Sequence, residues 1–152
     1  MAVDYTIQAE VVDIGADTPK ATDAFLVDTN VWFWMAYPTA GQSAIPYQLT
    51  SYPSYVNSAL GNGAKICRTG LSLAELLSLA VDEPTTDSAL ARFQNKKVDG
   101  YDLFILETMK SNAVLQVITD DGDFATVSGI QVFTANRNVI SSARAQGRLL
   151  TR

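Results

Sequence analysis

Phe25-Leu26-Val27-Asp28-Thr29-Asn30-Val31 decides the fold, because three apolar strand-forming residues run directly into a carboxylate and a polar turn. A continuous apolar run bounded by turn residues suits a strand covered on both faces, as in α/β proteins with parallel sheets. Ligands of such sheets bind just outside the carboxyl ends of the strands, so Asp28 is predicted to point into that crevice. Taken alone, Asp28 and Asn30 also fit side-chain-to-backbone turns where a strand stops. The remaining acids must decide between the two.

Working outward, the same pattern recurs at Val114 to Thr119, a buried-type strand followed by Asp120, Asp121 and Asp123 around Gly122 and closed by Phe124. Between the two, Ala64 to Arg68 reads as a short strand, and Ser72 to Val81 as a helix with Leu73, Leu76, Leu77 and Ala80 on its apolar face. Glu75 lies one turn into that helix and completes a capping box with Ser72. Asp99-Gly100-Tyr101-Asp102 opens a further helix with an apolar stripe of Leu103, Leu106 and Met109. Asp102 falls in its first turn, at the positive end of the helix dipole.

The flanking regions complete the outline. Residues 5 to 14 alternate apolar with polar, which predicts a strand at a sheet edge or a β-ribbon arm, and Ala16 to Thr22 reads as a loop. Tyr52 to Leu60 reads as a helix stopped by Gly61-Asn62-Gly63. Val81 to Lys97 is polar, with one or two helical turns at Ala89 to Phe93 and no strand. Ile130 to Ala135 gives another strand, and Asn138 to Leu150 a last helix interrupted at Gly147. Half of the aromatic residues fall between Trp32 and Tyr55; core packing or a partner-binding groove is favoured there over stacking on unpaired bases.

A chain of 152 residues is the usual size of one domain with its own core. No apolar run approaches membrane-spanning length, and the first residues lack the basic start and apolar segment of a secretory signal, so a cytoplasmic protein is expected. There is no histidine and a single cysteine, Cys67. Ser-His-Asp and Cys-His catalysis are therefore excluded, as are zinc sites built from cysteine and histidine. Oxygen-ligand metals such as magnesium, manganese or calcium remain. A net charge of −5 argues against general affinity for nucleic acid, yet no acid follows Asp123, and Arg137, Arg144, Arg148 and Arg152 all lie in that tail. The tail reads either as a solvated helix or as a phosphate-contacting face.

Each acid has an ordinary local explanation, but together they occupy strand carboxyl ends and first helical turns, where α/β layers converge on one crevice. Three or four carboxylates packed together require protons or a divalent cation. With no histidine available, hydrolysis by a metal-activated water is the chemistry that remains. In order, Asp28-Thr29-Asn30, Ser72 to Glu75, Asp102 and Thr119-Asp120-Asp121-Gly122-Asp123-Phe124 resemble the PIN-domain family of metal-dependent ribonucleases. The resemblance runs from Phe25 to Ala135. It implies a three-layer α/β/α fold around a central, mostly parallel sheet, with 25–152 as the nuclease domain and 1–24 as a strand-like extension. It also implies catalytic, metal-binding acids at Asp28, Glu75, Asp102 and Asp121, a fifth ligand at Asp123, and supporting polar groups at Thr29, Asn30 and Thr119. Mg2+ or Mn2+ is the implied cofactor and RNA the implied substrate. Similar single-domain proteins are often the toxin of a bacterial toxin–antitoxin pair, so an antitoxin protein is an expected partner, as is a second copy in a homodimer.

The chain departs from that family in two places, since the strand-like arm before Asp23 is an addition to the family's usual start and a later layer is short. Only 27 residues separate Glu75 from Asp102, too few for the further helix and strand that PIN domains place there. Either that layer is shortened or residues are missing within 80–100. A haloacid-dehalogenase-like phosphohydrolase is the enzyme alternative, but it needs an acid where Asn30 stands. The non-enzyme alternative is a catalytically silent PIN-like module that binds RNA or protein.

Overall fold

The computed structural model describes residues 5–36, 45–69 and 100–152. In chain order these form β1 (Glu10–Asp13), β2 (Ala24–Val27), α1 (Thr29–Ala36), α2 (Pro46–Gly61), β3 (Lys65–Cys67) and α3 (Gly100–Ser111). They continue with β4 (Gln116–Ile118), a 3-10 turn (Gly122–Thr126), β5 (Gln131–Thr134), α4 (Arg137–Ala145) and β6 (Leu149–Leu150). The helix read around Glu75 and the polar stretch Val81 to Lys97 lie outside the described residues.

The strands form one sheet in the order β3-β2-β4-β5-β1-β6, with every neighbouring pair parallel. Register places Val27, Ile118, Phe133 and Val12 in one row across it. That row packs with Val31 of α1 and with Tyr52, Tyr55 and Val56 of α2. One position along, Leu26, Val117, Val132 and Val11 form the row of the opposite face. Leu103, Leu106 and Met109 of α3 and Val139 and Ala143 of α4 cover that side. The result is the expected three-layer α/β/α arrangement. Cover on both faces is the reason β2 reads as an unbroken apolar run and the stretch through β4 as one interrupted only at Gln116.

Connectivity locates the crevice. From β2 the chain crosses one face through α1 and α2 to reach β3, then returns past β2 with α3 on the other face and enters β4. Right-handed crossovers that run in opposite directions put their helices on opposite faces. Strand order therefore reverses between β2 and β4, the place where open α/β sheets bind ligands. The α2 helix starts with Pro46 at a position that needs no N–H partner, and it ends at Asn62 and Gly63, whose φ of 83° suits a glycine after a helix.

Two expectations are corrected. The segment read as an edge strand or ribbon arm supplies β1, an interior strand between β5 and β6. Val11 and Val12 are both buried, so only the ends of that strand, Glu10 and Asp13, kept the polar half of the alternation. The predicted last helix stops at Ala145, because Gly147 takes a φ of 66° and turns Leu149 and Leu150 into register with Val11 and Val12. Among the described residues no helix is long and apolar enough to cross a membrane.

Candidate functional site

β2 delivers Asp28 to its carboxyl end, and the Asp28 N–H continues the ladder one residue further by donating to the Ile118 carbonyl at 3.0 Å. The side chain is 6% exposed. Its Oδ2 accepts the Thr119 hydroxyl at 2.6 Å, and its Oδ1 accepts the Thr29 N–H at 2.6 Å. Thr119 is fully buried, and its Oγ also accepts the Asp121 N–H at 2.9 Å, using a hydroxyl's ability to donate and accept at once. Asp121 then caps the 3-10 turn, its Oδ1 accepting the Asp123 N–H at 2.8 Å. Asp28, Thr119, Asp121 and Asp123 are thus joined in one chain of hydrogen bonds across the β2–β4 crevice.

Asp102 is buried in the first turn of α3. The last turn of that helix leads directly into the start of β4, so its first turn lies toward the carboxyl edge of the sheet. Asn30, in α1, has a buried Oδ1 that receives no hydrogen bond. Glu75 lies outside the described residues. Every predicted ligand offers oxygen, which suits Mg2+ or Mn2+, and the unsatisfied oxygen of Asn30, two residues from Asp28, is of the same kind. Among the described residues, no three acids are grouped closely enough to hold an ion by themselves.

Asp120, between two predicted site residues, is committed elsewhere. Its carboxylate accepts the Tyr52 hydroxyl at 2.6 Å, Gln48 Nε2 at 2.6 Å and the Tyr47 hydroxyl at 3.0 Å, anchoring α2 to the end of β4. The Tyr52 oxygen accepts the Ala135 N–H at 2.9 Å in turn. Burial first, and the Asp120 charge second, raise both phenols; Tyr47 is pushed up to about 12 and Tyr52 further still, so both remain donors. Of the aromatic stretch, Tyr52 and Tyr55 are buried, Trp32, Trp34 and Tyr47 pack partly buried against the same core, Phe33 is exposed, and Tyr37 lies outside the described residues.

A second acid group escaped the sequence reading. Arg152 forms ion pairs with Asp17 at 2.7 Å and Asp23 at 2.8 Å, and its guanidinium lies 4.6 Å from the centre of the Phe133 ring. The Tyr55 hydroxyl also donates to Asp17. Burial alone would raise both acids, but the bonds from Arg152, joined by Tyr55 at Asp17 and by the Lys20 N–H at Asp23, hold them below the usual carboxylate range. Arg152 is therefore no member of a phosphate-contacting tail, because its charge is spent on these two carboxylates.

Tyr5 is the other group that periodicity did not single out. Its ring rests on Gly122, where a Cβ would fall 2.3 Å from the Tyr5 Cζ. No family model, curated protein or solved structure matches the chain.

Proposed function

We propose that the chain is a divalent-metal-dependent endoribonuclease of the PIN kind, the toxin of a toxin–antitoxin pair, with Asp28 at the centre of its site. The observation that carries this reading is the hydrogen-bonded joining of Asp28 to the Thr119–Asp123 turn at the reversal of strand order. The toxin role comes from the resemblance of the motif set alone.

The resemblance assigns Mg2+ or Mn2+ to Asp28, Glu75, Asp102, Asp121 and Asp123, of which the four described acids do not by themselves form an ion-holding group. The cation supplies a water of lowered pKa and neutralises charge at a phosphodiester. The chain's own part is orientation. Thr119 and the Thr29 N–H fix both oxygens of Asp28, and the latter comes from the first turn of α1, whose dipole favours negative charge. The Asp121 cap on the Asp123 N–H holds the turn in shape. Such preorganisation removes reorganisation cost from the reaction.

Cleavage of an unstructured RNA, with and without Mn2+, tests the reading. Asp28→Asn and Asp121→Asn are each expected to lower the Mn2+-dependent rate by roughly a hundredfold or more with an unchanged far-UV circular dichroism spectrum. Binding of RNA without cleavage by the parent would favour the silent module. Full activity in both variants would overturn the proposal.

A further inference from the structure

We infer that Tyr5 is a substrate-binding residue of this site, its phenol hydroxyl donating a hydrogen bond to a non-bridging oxygen of a bound phosphodiester; the inference rests on the nuclease reading. Three observations converge on it. First, the ring is laid on the acidic turn, since a Cβ on Gly122 would fall 2.5 Å from the Tyr5 hydroxyl oxygen as well as 2.3 Å from Cζ. Real side chains do not approach so closely, so only glycine at 122 admits the ring in this place.

Second, the segment is held. Gln146, at the end of α4, accepts the Ile7 N–H at 2.9 Å and donates to the Tyr5 carbonyl at 2.7 Å, gripping the backbone on both sides of Thr6. Gln8 and Ala9 both donate to the Ala125 carbonyl, at 2.9 and 3.1 Å, tying the next residues to the 3-10 turn. The ring is thereby fixed from the N-terminal segment, which the family resemblance left without a role.

Third, the hydroxyl is left for a ligand. Tyr5 is only partly buried, and among the described residues its hydroxyl makes no hydrogen bond. A phenol is protonated at neutral pH, so the group is a donor. A site lined by carboxylates repels the phosphate it must bind, and a neutral donor at its rim can contact that anion without neutralising the acids.

The test is steady-state cleavage of a short single-stranded RNA in Mn2+ by the full chain. Tyr5→Phe is expected to raise KM by about tenfold with kcat within about twofold, as for loss of one hydrogen bond to a charged group. Its melting temperature should match the parent's, because the hydroxyl supports nothing in the fold. Gly122→Ala, which displaces the ring, should raise KM similarly, and the double variant should be no worse than the worse single one. An unchanged KM in Tyr5→Phe would overturn the inference and leave the nuclease reading intact. A fall in kcat with a lower melting temperature would make Tyr5 structural and overturn it too. If the parent does not cleave, the nuclease reading fails, and fluorescence anisotropy with the same labelled RNA decides Tyr5 separately. Binding weakened by Tyr5→Phe supports the inference, and equal binding overturns it.

Discussion

Asp17 and Asp23 are held by a charge, whereas the hydrogen bonds described for Asp28 and Asp121 come from a hydroxyl and backbone N–H groups. The first pair flanks the guanidinium of Arg152 on the α2 side of the sheet, closing the path from β1 to β2 against the residues after β6. Asp28 and Asp121 occupy the carboxyl edge where strand order reverses. A carboxylate bracketed by a guanidinium has its charge satisfied within the fold. One held by a hydroxyl and backbone N–H groups is oriented by dipoles of the fold. On the proposed reading, acids of the same type have different tasks, and their partners, more than their number, tell them apart.

The largest effect on stability is expected at the charge-held pair. Arg152→Ala leaves two buried carboxylates without their cation and should cost about 3–5 kcal/mol, read from urea unfolding. The same carboxylates give that loss a pH signature. Their folded-state pKa values lie below the ordinary 3.8, so the stabilisation is complete above that value and disappears as the pH falls through the depressed values. The gap between parent and Arg152→Ala should accordingly be largest near neutral pH and shrink as the pH falls through the carboxylate range, starting above the ordinary 3.8 because burial raises both acids once the guanidinium is gone. A gap of equal size at pH 3 and pH 6 would mean that the contact of the Arg152 guanidinium with Phe133 matters more than its pairing with the two acids.

A smaller effect is expected at Asp120, which shares features of both groups. Tyr52→Phe removes the hydroxyl that donates to Asp120 and accepts the Ala135 N–H, for about 1–3 kcal/mol. Because Tyr47 and Gln48 still hold Asp120, Mn2+-dependent cleavage should persist in this variant. Loss of cleavage with the fold retained would move Asp120 from anchor to site.

What the sequence made legible follows physical range. The strands leading to Asp28 and Asp121 announced themselves as apolar runs ending in turn chemistry, and that information is local. Alternation marks β1 as a strand but gives it an edge place, because its partners β5 and β6 lie at the far end of the chain. A two-residue strand such as β6 carries no periodicity to read. Arg152 looked like part of a basic tail for the same reason, since Asp17 and Asp23 are neighbours only through the fold. Tyr5 is one aromatic in an alternating segment, and its relation to Gly122 is a contact between residues far apart in the chain.

The central claim, that the dipole-held acids form a cation site, is tested most directly by melting curves of the parent and Asp28→Asn in EDTA and in Mn2+, with Arg152→Lys as a control in the other acid group. Only the folded chain assembles the site, so Mn2+ at ten times its dissociation constant should stabilise the parent by about 1.4 kcal/mol, or roughly 3–6 °C at this size. Arg152→Lys should start lower and gain the same increment, whereas Asp28→Asn should gain little or nothing. Equal Mn2+ shifts in the parent and Asp28→Asn, or no shift in the parent, would contradict the account and return Asp28 to the role of a turn residue at the end of β2.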